Sequence, residues 1–179
     1  MTRFISALIF IAFPLAVLAD DIDLGAVSSL KVDLQQVVEL GTVSAVDGVT
    51  SAGQPDEAAL EVFADAGYAA VIDLRGPEED RGFDQKAVVE DLGMHYVLLP
   101  IVGPDAVNFE NAGRLDELLG QFDAPVLVHC KSANRVGGLL ALRASLNGVD
   151  DAAAMAHGKE AGMTRLEPVV RERLADGAE

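Results

Sequence analysis

The segment VHCKSANRVGG, Val128 to Gly138, holds the only cysteine of the chain, Cys130, with His129 before it and Arg135 after it. A thiolate is a strong nucleophile. Its pKa falls from ~8.5 when backbone N–H groups, a helix N-terminus or a guanidinium surround the sulfur. Arg135 adds a permanent charge and a planar fork of donors that matches an oxyanion. Composition alone favours a different reading, in which Cys130 is a small buried hydrophobe. The surroundings decide between the two. An apolar run ends at His129, six residues turn, and a helix starts near Arg135. Backbone N–H groups at such a strand-to-helix turn converge on one point, so an oxyanion drawn there meets a nucleophile. The expectation is a reactive Cys130 served by Arg135.

The rest of the chain supplies the elements that would hold this loop. TVSAVDGVTSAG reads as two strands around Asp47-Gly48, a strong hairpin signal. QPDEAALEVFADAG predicts a helix with Pro55 at its first position and Gly67 at its end. YAAVIDLR, MHYVLLP and APVLVH read as buried strands, and DQKAVVEDLG as a helix closed by Gly93. Leu115, Leu118, Leu119 and Phe122 recur at helical spacing, which predicts a helix over 106–122. His157 lies in an alanine-rich helix, and LQQVVEL in 20–40 is either a short helix or a docking arm. Helix and strand alternate three times after the hairpin. The fold class is α/β, a mainly parallel sheet with helices on both faces. Ligands of such sheets bind beyond the carboxyl ends of the strands, where Arg75, Pro100 and His129-Cys130 fall. Gly137-Gly138 is expected to let the loop helix pack closely on the sheet.

The chain begins MTRFISALIFIAFPLAVLAD, with Arg3 ahead of an apolar run from Phe4 to Leu18 and small residues before Asp20. This is the anatomy of a secretory leader cleaved after Ala19. The alternative, an uncleaved anchor, is opposed by the short run and by Pro14. The expected location is therefore periplasmic or secreted. The organisation is a leader at 1–19, an N-terminal arm at 20–40 and one domain at 41–175. A lone cysteine cannot form an internal disulfide. The formal net charge of −16 repels nucleic acid and anionic membranes, so neither is expected as a partner once the leader is gone. An anionic substrate would need a local positive site. His95 and His157 have no metal-ligand spacing, and no glycine-rich dinucleotide fingerprint is present, so no metal or cofactor is implied.

TSAGQP, AAVIDLR and VHCKSANRVG resemble the three signature segments of the bacterial DUF442 family, a phosphatase-like branch also found joined to beta-lactamase-like hydrolase domains. The resemblance spans about residues 40 to 162. It implies a protein tyrosine or dual-specificity phosphatase-like fold with an N-terminal β-hairpin. It implies Cys130 as nucleophile, Arg135 as oxyanion binder and the backbone of Lys131, Ser132, Ala133 and Asn134 as the cradle. Gln54 and Arg75 would line the rim, and His129 would support the loop through a ring hydrogen bond. Gln54 has a competing reading as a helix cap, and Arg75 as a partner of Glu78 or Asp80. An aspartate before the helix that precedes the cysteine strand would protonate the leaving group. Asp105 is the candidate, with a helix N-cap as its other reading.

The implied activity is hydrolysis of aryl or small phosphate esters, or of a phosphorylated side chain, through a thiophosphoryl-cysteine. Three departures count against it. Ala133 stands where many relatives have glycine, and is strained by about 1 kcal/mol if that position needs positive φ. Val136 stands where related phosphatases carry a hydroxyl, a role Ser132 would have to fill. Four residues separate Cys130 from Arg135, the spacing of rhodaneses. The alternatives are therefore sulfur transfer through a Cys130 persulfide, or a non-enzymatic oxyanion-binding or redox-sensing module.

Overall fold

The computed structural model describes residues 43–46 and 49–177. The leader with its cleavage point after Ala19, the arm at 20–40 and the Asp47-Gly48 turn lie outside the described residues. Among the described residues five strands form one sheet: β1 (Val43–Val46), β2 (Val49–Ala52), β3 (Ala70–Asp73), β4 (His95–Leu98) and β5 (Val126–His129). Their spatial order is β1-β2-β5-β3-β4. β1 pairs antiparallel with β2, Val46 opposite Val49, as a hairpin requires. The other three pairings are parallel, and β5 lies between β2 and β3 with Leu127 beside Thr50 and Val71.

Among the described residues six α-helices connect and cover the strands. They are α1 (Glu57–Asp65), α2 (Gln85–Asp91), α3 (Phe109–Leu119), α4 (Asn134–Leu146), α5 (Asp151–Glu160) and α6 (Glu167–Asp176). Period-2 alternation sends neighbouring residues of each strand to opposite faces. Val71 and Leu127 pack with Leu60 and Phe63 of α1 and Val89 of α2. Ile72 and Val128 pack with Leu115, Leu139, Leu142 and Val170 of the other helices. Each such fully buried side chain contributes roughly 1.5–3 kcal/mol. The expected α/β architecture with both faces covered is present. Among the described residues no helix is long and apolar enough to cross a membrane.

Four local expectations are corrected. The first helix starts at Glu57, not Pro55, because the Asp56 side chain accepts from Ala59 N–H and caps it. The predicted helix over 106–122 is a 3₁₀ turn at Pro104–Ala106 followed by α3, capped by Asn108. β4 is an edge strand rather than a buried one, with His95 and Leu98 exposed. Its apolar residues cover one side of a sheet edge, which a continuous apolar run does not distinguish from a central strand. Gly137 faces α5 and not the sheet: a Cβ there would lie 2.4 Å from both Gly158 O and Met163 N. Gly138 meets Val107, Leu166 and Val170 instead. The C-terminal helix α6, unanticipated, completes this face with Val170 and Leu174.

Candidate active site

β5 ends at His129, and the chain turns through Cys130–Ala133 into α4 at the carboxyl end of the central strand. Ala133 is left-handed at φ 59°, the only non-glycine residue of positive φ among the described residues. The strain expected at this position is therefore present. The Ala133 methyl itself is accommodated by Gly162, where a Cβ would lie 2.6 Å from the Ala133 Cβ.

The loop peptides have an imposed direction. A planar trans peptide points its N–H opposite its C=O. The Cys130 carbonyl is held by His129 Nδ1 at 3.4 Å, and the Lys131 carbonyl accepts from Gln54 N–H at 3.3 Å. The N–H groups of Lys131 and Ser132 therefore face away from these partners. The first helical bond of α4 runs from Gly137 N–H to Ala133 O at 2.8 Å, so the N–H groups of Asn134, Arg135 and Val136 have no carbonyl of that helix to bond. Asp56, Asp84, Asn108 and Asp150 cap four of the other helices with a side-chain oxygen, whereas Ala133 cannot cap α4. Among the described residues no side chain caps these donors, which leaves them open to an anion.

Cys130 is buried, and its sulfur lies close enough to Arg135 to help raise the guanidinium pKa. The first cause of that rise is Glu79. Arg135 Nη1 and Nη2 donate to the two Glu79 oxygens at 2.6 and 2.9 Å, and Nη1 also donates to Ile101 O at 3.2 Å. Glu79 in turn accepts from Gly76 N–H at 2.8 Å and from Arg75 Nε at 3.2 Å. The bond from Arg135 above all, against the opposing effect of burial, holds its carboxyl at about 2.

Arg75 is buried, so it does not line an open rim. It donates to Glu79, to the Asp80 carbonyl at 2.8 Å and, through Nη1, to Gln54 Oε1. The acid it pairs with is Glu79 and not Glu78, and Asp80 takes part only through its backbone. Gln54 caps nothing: its Nε2 donates to Pro55 O and to Gln85 Oε1, each at 3.0 Å. Gln85 Nε2 then lies 2.7 Å from His129 Nε2. Burial first of all lowers the His129 pKa to about 4, so the 3.7 Å approach of Asp73 is to a neutral ring at pH 7. Asp73 is fully buried and accepts from Arg75 N–H at 2.8 Å, Arg81 Nε at 2.5 Å and Tyr96 O–H at 2.8 Å. Burial, and then the bond to Asp73, push the Tyr96 phenol up to about 12.

The remaining predicted residues divide. Lys131 and Ser132 are exposed on the loop. The Asn134 side chain turns away, accepting from Thr164 N–H at 2.8 Å and Leu166 N–H at 3.3 Å. Asp105 is not the α3 cap, which is Asn108. Its carboxylate stands in solvent 3.7 Å from Arg173 Nη2, and the Asp105 carbonyl accepts from Asn108 Nδ2. Val136 is fully buried and supplies no hydroxyl. Sequence reasoning missed Glu79, Gln85, Asp73 and Arg81. The signal for Glu79 was the Gly76-Pro77 turn, which folds Glu79 back onto Gly76, with Glu79 N–H donating to Gly76 O at 3.1 Å.

No family profile matches the chain. A beta-lactamase hydrolase-like protein of Agrobacterium fabrum (strain C58) is 27% identical over 104 residues, covering 56% of this chain and 24% of that protein. The chain therefore spans about a quarter of that relative's length. A DUF442 protein of Shewanella putrefaciens CN-32, a candidate phosphatase, superposes with a TM-score of 0.58. It is 22% identical, over 78% of this chain and 92% of that one. TpbA of P. aeruginosa, a cysteine-to-serine variant in complex with pTyr, gives a TM-score of 0.55 at 20% identity over 75% and 91%. The fold is that of the protein tyrosine phosphatases. The resemblance carried by the three sequence segments is thus matched by a curated beta-lactamase hydrolase-like relative and by DUF442 structures.

Proposed function

We propose that this protein is a cysteine-dependent phosphohydrolase of aryl or small phosphate esters, a class that includes phosphorylated side chains. One observation carries the reading: a buried thiol beside Arg135, at the foot of a helix whose first-turn donors no side chain caps. Cys130 Sγ attacks phosphorus and the ester oxygen leaves with the bonding pair. Arg135 and the N–H groups of Lys131 to Asn134 hold the equatorial oxygens. Water then cleaves the thiophosphoryl bond, which returns the thiolate and releases phosphate. Asp105, on the β4–α3 connection behind Gly103 of φ 78°, is the acid candidate for the leaving oxygen. TpbA, of the same fold, is in complex with pTyr, which supports an aryl phosphate as the first substrate to try. The leader-like N-terminus supports action outside the cytoplasm.

The test is hydrolysis of p-nitrophenyl phosphate by freshly reduced protein, beside Cys130→Ser. Turnover lost in the variant is the expected result; none in the reduced wild type would overturn the reading. With turnover in hand, Asp105→Asn is expected to slow esters with poor leaving groups most, and equal slowing of all esters would remove Asp105 from the mechanism. A second reading, sulfur transfer through a Cys130 persulfide, draws on the buried Val136 and the exposed Asp105, neither of which that chemistry uses. A persulfide mass on Cys130 after thiosulfate would favour it.

A further inference from the structure

A chain of side-chain hydrogen bonds runs beneath the cysteine loop, and its direction can be deduced. Arginine has donors and no acceptor. The atom of Gln54 that meets Arg75 Nη1 must therefore be the carbonyl Oε1. The Gln54 amide nitrogen then faces Pro55 O and Gln85 Oε1, both acceptors, so the orientation is fixed from each end. With its Oε1 receiving that bond, Gln85 presents its NH₂ to His129 Nε2 at 2.7 Å. Nε2 must accept. The single proton of a neutral ring is then on Nδ1, which faces the Cys130 carbonyl at 3.4 Å.

We infer that Arg75, Gln54 and Gln85 act as positioning residues that hold His129 in the Nδ1–H tautomer, so that its ring donates to the Cys130 carbonyl and aims the Lys131 N–H into the oxyanion loop. Gln85 and His129 are both buried, which shields the chain from competing water. The low pKa of His129 agrees with a ring kept neutral. Gln54 acts twice, since its backbone N–H also holds the Lys131 carbonyl and so turns the Ser132 N–H away from Gln54. The consequence for catalysis rests on the proposed function; the tautomer does not.

The test is nitrogen-15 NMR of the imidazoles in the intact folded protein at pH 7. The chain has three histidines, and His129→Gln assigns the signal. The expected spectrum places His129 in the Nδ1–H tautomer; a wild-type ring protonated on Nε2 would overturn the inference without touching the phosphatase reading. Gln85→Glu replaces the donor to Nε2 with a carboxylate. It is expected to move the proton to Nε2, or to form the imidazolium, and to lower kcat/KM about five- to tenfold, the worth of one hydrogen bond near 1 kcal/mol. A Gln85→Glu variant that folds and keeps the Nδ1–H signal would also overturn it. Should that variant not fold, the wild-type spectrum alone decides.

Discussion

Replacing Gly162 by alanine is expected to destabilise the protein in part through one identifiable atom, the Cβ of Ala133. A Cβ built at 162 would lie 2.6 Å from that methyl, while its next contacts, to Ala133 C and Cα, are an ordinary 3.5 and 3.6 Å. Two costs follow. The backbone of Gly162 has φ +101°, which an L side chain adopts at about 1–2 kcal/mol. The overlap forces the loop or α5–α6 connection to shift, typically about 1–3 kcal/mol. Ala133→Gly removes the methyl and with it the second cost. Taken alone, Ala133→Gly is expected to be close to neutral. It relieves left-handed strain of about 1 kcal/mol but loses a buried methyl worth about 0.8 and loosens the unfolded chain.

The assay is a double-mutant cycle by urea denaturation of the wild type, both single variants and the pair. Gly162→Ala is expected to cost about 2–5 kcal/mol in the wild-type background and about 1–2 in the Ala133→Gly background, a coupling of about 1–3 kcal/mol. An identical cost in both backgrounds, within about 0.5 kcal/mol, would refute the steric account of how this loop tolerates alanine.

Two further expectations concern charge. The folded pKa of His129, about 4, lies below the ordinary value of 6.5, so the unfolded chain takes up a proton that the folded chain refuses. The contribution is complete above pH 6.5 and is lost as pH falls toward 4, with a slope of up to about 1.4 kcal/mol per pH unit; the slope difference between wild type and His129→Gln, measured by denaturation across that window, should show it, and identical slopes would refute it. Glu79, at about 2 in the folded chain, stabilises fully above the ordinary value of 4.5 and progressively less below it. Glu79→Gln is expected to cost about 1–2 kcal/mol at pH 7, a figure lowered for its partial exposure, and markedly less near pH 3. Denaturation of both proteins at the two pH values checks this.

The strand-helix order and the cysteine loop were legible because their signals are local. An apolar run ending at His129 and a helix opening at Asn134 leave little freedom for what lies between. Sites made by distant contacts were not. Arg75 stands beside Glu78, Glu79 and Asp80 in sequence, and only the turn at Gly76 chooses Glu79. Gln85 sits in an ordinary-looking helix, and nothing in DQKAVVED marks its glutamine as the partner of a histidine on a distant strand. Gly137 reads as a sheet contact because a glycine announces close approach without naming the surface approached. The acid candidate was located by order along the chain, and order does not reveal that Asp105 stands in solvent beside Arg173.

Glu79 ties the two halves of the site together. Its carboxylate holds the Nη1–Nη2 fork of Arg135, whose guanidinium lies beside Cys130, and the Nε of Arg75, from which the chain to His129 and the Cys130 carbonyl begins. On the proposed function, the arm that would hold the anion and the arm inferred to orient the loop share one carboxylate. Two guanidiniums this close would otherwise repel each other; a shared counterion permits both to remain ordered and charged. On the proposed function it also places a negative charge near the phosphate that Arg135 would bind. That arrangement favours a ligand carrying enough charge to engage Arg135 together with the loop N–H groups, as a phosphate ester does, over a weakly charged one. The acidic surface works in the same direction: with a net charge of −16, the proposed anion binding would depend on these few donors rather than on long-range attraction.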